Sequence, residues 1–183
     1  KFTGLSIGAD FAGFTLGASV GEDNYWDVAL RYAGEFNGIR IAGAVSYAVM
    51  SEFNGVAGAL VCTTNCDKEV EQWTGSLSIR HMPTGLFFTG AAGTRDVSNA
   101  QVGAATISYD ADFYYVSGGI ARNFFGIGDT VVYGEFGRYS GAGQDVYGLA
   151  AAGVDVEHWG VGLTQHVDAA ALELYVTYKN LSL

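Results

Sequence analysis

The residues that could do chemistry in this chain are few and scattered. Gly17-Ala18-Ser19-Val20-Gly21 matches the G-x-S-x-G spacing of a serine nucleophile. That elbow needs a strand turning into a helix, whereas here the segment runs on into Glu22-Asp23-Asn24-Tyr25-Trp26. Cys62 and Cys66 stand at C-x3-C spacing in a polar stretch, read either as a small loop disulfide of an oxidising compartment or as free thiols. A zinc site would need more ligands, and no histidine lies nearby. His158 and His166 are expected to share one wall, but neither a nucleophile nor zinc-ligand spacing accompanies them, so no enzymatic reaction and no cofactor is expected. What remains is a set of charges: Asp27, Arg31, Glu35, Arg40, Arg80, Arg95, Glu173 and Lys179. Charges on facing walls orient dipolar solutes and tune ion preference. The plainer reading is a solvated sheet face, with Glu35 and Arg40 as a cross-strand pair worth about 0.2–1 kcal/mol.

The elements that must hold these charges are strands. From Trp26 to Phe36, the residues Trp26, Val28, Leu30, Tyr32, Gly34 and Phe36 share one face, and Asp27, Ala29, Arg31, Ala33 and Glu35 share the other. Asn37-Gly38 then supplies the two positive-φ positions of a tight hairpin turn. The register that follows pairs Phe36 with Ile39, Tyr32 with Gly43, Leu30 with Val45 and Val28 with Tyr47. Glu35 meets Arg40 on the opposite face. An apolar face thus continues across both strands without a slip.

The same alternation predicts about ten strands in five hairpins. Their approximate spans are 2–10, 14–20, 26–36, 39–50, 72–81, 86–95, 105–123, 129–139, 154–166 and 171–180. In the last hairpin Trp159 is expected beside Tyr178, Leu163 beside Leu174, Thr164 opposite Glu173 and His158 opposite Lys179. Leu77, Ile79, Leu86 and Phe88 should share the apolar side of the third hairpin, with Ser76, Ser78, Arg80, Thr89 and Arg95 turned away. Near Ser117-Gly118-Gly119 the alternation falters, and a bulge there would restore its phase. No face is assigned to Arg122 or Arg138. Tight turns are expected at 11–13, 37–38, 82–85, 126–128 and 168–169, with longer connections at 21–25, 51–71, 96–104 and 140–153. Alternating short and long connections fit an antiparallel up-and-down transmembrane barrel, with short periplasmic turns and longer loops outside.

Composition narrows the partners. The chain has 183 residues, 49% of them hydrophobic and 14% aromatic, with 27 glycines, one proline and a net charge of −10. Nucleic acid is not an expected partner, because phosphate neutralisation needs basic clusters. No apolar stretch suits a membrane helix, yet alternating barrel strands carry a much weaker hydropathy signal. Trp26, Phe36, Trp73, Trp159 and Tyr178 fall near strand ends, where amphipathic rings suit lipid headgroups. Acidic residues expected in loops, namely Glu22, Asp23, Asp67, Glu69, Glu71, Asp110 and Asp112, suggest either solvated charge or divalent cations bridging lipopolysaccharide.

The stretches WDVALRYAGEFNGIRIAGAVSYA and VEHWGVGLTQHVDAAALELYVTYKNL resemble the later strands of the porins of alphaproteobacteria. The resemblance covers most of the chain, and G-x-T-Q-x-x-D-A-A-A-x-E-L-Y is its most specific part. It implies a homotrimeric barrel of about sixteen strands in the Gram-negative outer membrane, passing ions and small hydrophilic solutes by passive diffusion. It also implies a loop folded into the pore, which the sequence does not locate. With tight turns periplasmic, Lys1 and Leu183 fall on the outer side, so residues 1–183 are expected to be one barrel domain, incomplete at both ends. A complete ten-stranded barrel is the alternative. Two further readings stay open: a small closed outer-membrane barrel that anchors, adheres or hydrolyses, and a soluble β-barrel or sandwich that binds an apolar ligand.

Overall fold

The computed structural model describes residues 4–22, 24–51, 69–102, 105–141 and 155–182. Cys62, Cys66, Asp23 and Asp67 lie outside the described residues. Ten strands form: β1 Gly4–Phe11, β2 Phe14–Gly21, β3 Trp26–Phe36, β4 Ile39–Ser51, β5 Glu69–His81, β6 Leu86–Val102, β7 Ala105–Arg122, β8 Thr130–Ser140, β9 Val156–Val167 and β10 Leu172–Ser182. They make one antiparallel up-and-down sheet in chain order, whose edges are β1 and β10. The described helical structure is a single 3₁₀ turn, Asp168–Ala170.

Local chemistry accounts for the β3–β4 hairpin. Asn37 and Gly38 take φ of 49° and 76°, the left-handed pair that a two-residue hairpin turn requires. Phe36 therefore faces Ile39, and the whole expected register follows, from Glu35 opposite Arg40 to Val28 opposite Tyr47. Ala12-Gly13 makes the equivalent turn between β1 and β2 with φ of 49° and 84°. An alanine held there costs about 1–2 kcal/mol, which the flanking ladder offsets.

Three expectations fail, each for a reason of backbone geometry. The last hairpin is shifted by two residues: Lys179 faces Gly160, Glu173 faces His166, Leu174 faces Gln165 and Val176 faces Leu163. The 3₁₀ turn and a left-handed Ala171 lengthen the connection, and a two-residue shift preserves the faces while changing every partner. The expected bulge at Ser117–Gly119 is not formed, because β7 pairs without interruption with β8 from Asp112 to Arg122. The irregularity sits instead between Val97 and Ala100 of β6, where Asn99 takes φ of 57°. That bulge lets β6 run on to Val102, so strand replaces the connection expected over 96–104. Glu69, Glu71, Asp110 and Asp112 accordingly lie in β5 and β7 rather than in loops.

The sheet has two chemically distinct faces. Following the register from strand to strand, one face carries Leu5, Leu16, Leu30, Val45, Leu77, Phe88, Val116, Val132, Val161 and Val176. These side chains are exposed: Leu30 at 43%, Val161 at 52%, Val176 at 66%. In β8 and β9 the residues of the other face are the more shielded ones, with Gly137, Gly160 and Gly162 buried. The buried hydrophobic residues described are Val70, Val97 and Ala121, all on the polar face. Val70 and Val97 pack with Met50 and Tyr109 in one row across β4 to β7. Among the described residues the sheet therefore shows no apolar core of the kind built between the two layers of a sandwich.

Candidate functional site

The polar face gathers the charged residues singled out from sequence. On β3 the alternation turns Asp27, Arg31 and Glu35 to this side, and the hairpin brings Arg40 of β4 beside Glu35 with Nη2 to Oε2 at 3.1 Å. Arg40 lies directly opposite Arg80 of β5, and the two guanidiniums part. Arg80 reaches past β6, where its Nη2 donates to the Ala121 carbonyl at 3.0 Å and meets Asp129 Oδ2 at 3.3 Å. Like charges placed opposite each other repel, so each finds its own acid. Asp27 accepts hydrogen bonds from the Ser19 hydroxyl and, at 2.6 Å, from Tyr25 Oη. The Asp27 bond holds the Tyr25 phenol above its ordinary ionisation range. Thr15, Ser19, Asp27 and Arg31 border a recess of about 240 Å³. Arg95 faces the same side from β6, opposite Gln72.

On the far side of the sheet Glu173 and Lys179 project from β10 on the same face. Glu173 meets His166 Nδ1 at 3.5 Å. Lys179 Nζ crosses Gly160 of β9 to Glu135 Oε1 of β8 at 2.7 Å, and Tyr115 Oη donates to the other Glu135 oxygen at 2.9 Å. The Glu135 side chain is only 6% exposed, so its charge is balanced from both sides. Sequence reading missed Glu135. Its strand parity was the available signal, since Glu135 alternates with Val132, Gly134 and Phe136 of the apolar face.

Arg122 and Arg138 have the parity of the apolar face, and both stand at strand ends. Arg138 is held by Asp155 at 2.8 Å and Glu157 at 3.7 Å, above the apolar stripe. At the same end Glu71, Asp96 and Asp110 align in one row across β5, β6 and β7. Among the described residues no group of His, Cys, Asp or Glu is arranged to hold a metal ion. Ser19 lies within β2, its hydroxyl bonded to Asp27 rather than to a histidine.

Rings mark two levels of the apolar face. Towards the ends that carry the longer connections, Tyr47 contacts Trp26 with centroids at 5.3 Å and Trp73 at 4.4 Å. Tyr114 contacts Phe136 at 5.9 Å, and Trp159 contacts Tyr178 at 5.5 Å. At the tight-turn end Phe14 meets Tyr32 at 4.7 Å. Aliphatic Val28, Leu30, Val45 and Leu77 fill the band between. Comparison of the chain with protein-family models, with curated proteins and with solved structures gave no match.

Proposed function

We propose that this sheet is part of the wall of an outer-membrane porin, a water-filled channel for passive diffusion of ions and small hydrophilic solutes. The observation that carries the reading is an exposed apolar face that runs across all ten strands: large apolar side chains stand exposed on one side of the sheet, while charges and small residues take the other side, which in β8 and β9 is the more shielded. In water, exposed Leu30, Leu77, Val161, Leu163, Leu174 and Val176 would form an apolar patch far larger than soluble monomers carry. In hydrocarbon the same face is stable, because the ladders pair backbone groups of β2 to β9 with strands on both sides. The rings at two levels match interfacial girdles.

In this reading Asp27, Arg31, Glu35, Arg40, Arg80, Arg95, Glu173 and Lys179, joined by Glu135, line the lumen and set its field. Both edges keep the alternation, so strands added to β1 and β10 would continue both faces toward a closed barrel of about sixteen strands. A homotrimer with lipid and lipopolysaccharide around it belongs to the same proposal. Single-channel conductance of the detergent-extracted, full-length protein in a planar bilayer tests it. Stable ohmic steps, especially in threes, are expected. A folded, inserted protein that passes no current would overturn the channel and favour a small closed barrel, and release from cells without detergent would overturn the membrane reading.

A further inference from the structure

The polar face of β7, β8 and β9 carries a lane of rings that neither the charge pattern nor strand pairing requires. Phe113 stacks on Tyr139 with centroids 5.9 Å apart and planes 18° from parallel. Tyr139 stacks on His158 at 5.9 Å and 22°, and His158 on Tyr115 at 6.1 Å and 20°. The rings do not stand up from the wall. His158 lies across Gly137, Phe113 across Gly93 and Tyr133 across Gly162, so closely that a methyl group on any of these glycines would overlap the ring. Phe113 and His158 are thus seated against the sheet on one side and keep part of their surface toward solvent. These rings are accordingly half-buried, and Tyr139 is 39% exposed.

Beside the lane lie Glu135 and Lys179, closed on each other at 2.7 Å, with the Tyr115 hydroxyl on the same carboxylate. The rim thus offers donors and acceptors but no net charge. We propose that this lane binds neutral sugars, with the C–H face of the pyranose against the solvent-open parts of the rings and its hydroxyls turned to Lys179 and Tyr115. Electron-rich ring faces attract polarised C–H groups, and a few placed polar groups fix the orientation. An ionic solute gains little from a self-neutralised pair. A wholly apolar one would strip water from that pair without replacing its hydrogen bonds. The inference deepens the channel reading and rests on it only in requiring that this face meets water.

The test uses the full-length protein with linear maltooligosaccharides as probe. Saturation-transfer NMR in detergent micelles reads binding without any need for a pore, and sugar block of ion current reads it within one. Saturable transfer to sugar C–H protons is expected, weakened at least fivefold in Phe113→Leu/Tyr139→Leu, with saturable current block weakened in parallel. Circular dichroism checks folding, and Tyr139→Leu alone serves if the double variant does not fold. Ion current without saturable sugar block or transfer would overturn the lane and leave the channel standing. Sugar binding lost in the variant, in a protein that passes no current, would uphold the lane and overturn the channel. Binding unchanged in the variants, or displaced far more strongly by free tryptophan than by sugar, would overturn the lane.

Discussion

The polar face is built in two ways on one sheet. Across β3, β4 and β5 long charged side chains lie among alanines and serines: Arg31 and Glu35 with Ala29 and Ala33, Arg40 with Ala42 and Ala44, Arg80 with Ser76 and Ser78. Across β7, β8 and β9 rings and one carboxylate lie over glycines, with Tyr133, Glu135 and His158 covering Gly162, Gly160 and Gly137. In the first wall the charges stay wet, and the Arg40 and Glu35 side chains are 56% and 47% exposed. In the second the carboxylate is buried to 6% and needs both Lys179 and Tyr115. Small neighbours let a charge extend into solvent, whereas the absence of a neighbour's side chain lets a large group lie down. The apolar face behind both walls is the same.

That shared face gives the largest expected effect. Leu30→Arg behind the charged wall and Val161→Arg behind the aromatic wall should each cost about 2–4 kcal/mol in a membrane-folding titration. Ala33→Arg, turned to the polar side of β3, should fold normally and shift ion preference in reversal-potential measurements. Equal tolerance of all three would sink the assignment of faces.

The walls should then separate in their response to added volume. A Cβ at Gly119, on the aromatic wall, would run into the backbone carbonyl of Val132, so Gly119→Ala should destabilise by about 1–3 kcal/mol in urea unfolding. Nothing meets a Cβ at Gly17, on the polar face opposite Ala29 and beside the charged wall, more closely than 3.9 Å, so Gly17→Ala is expected to be near neutral. Hydrogen bonding sharpens the contrast at smaller scale. Tyr115→Phe keeps the ring but removes the hydroxyl donor to buried Glu135, at a cost of about 0.5–1.5 kcal/mol. Arg40→Met, breaking an exposed pair, should cost only about 0.2–1 kcal/mol, and added salt should shrink that difference further. A larger loss at Arg40 than at Tyr115 would reverse the comparison.

The charged wall was legible in sequence and the aromatic wall was not. Asp27 to Arg40 flank Asn37-Gly38, a turn whose backbone demands fix the register from within the hairpin. No such anchor exists for the aromatic wall. Its rings come from three strands joined by residues 123–129 and 141–155, neither of which dictates a register. Glu135 and Lys179 meet only because β8, β9 and β10 lie side by side. The Arg122 and Arg138 faces were hidden for another reason: a charge of apolar parity looks like a phase error until the strand ends are known.

By itself the sequence determined the all-β class, the ten strands and, where the alternation is unbroken, which residues share a face, because a period of two is a local property of the chain. Tertiary structure decided the two-residue shift of the last hairpin, the bulge between Val97 and Ala100, and the seating of rings on glycines. Those depend on turn conformation and on which strand lies alongside. Alternation along one strand leaves both unspecified.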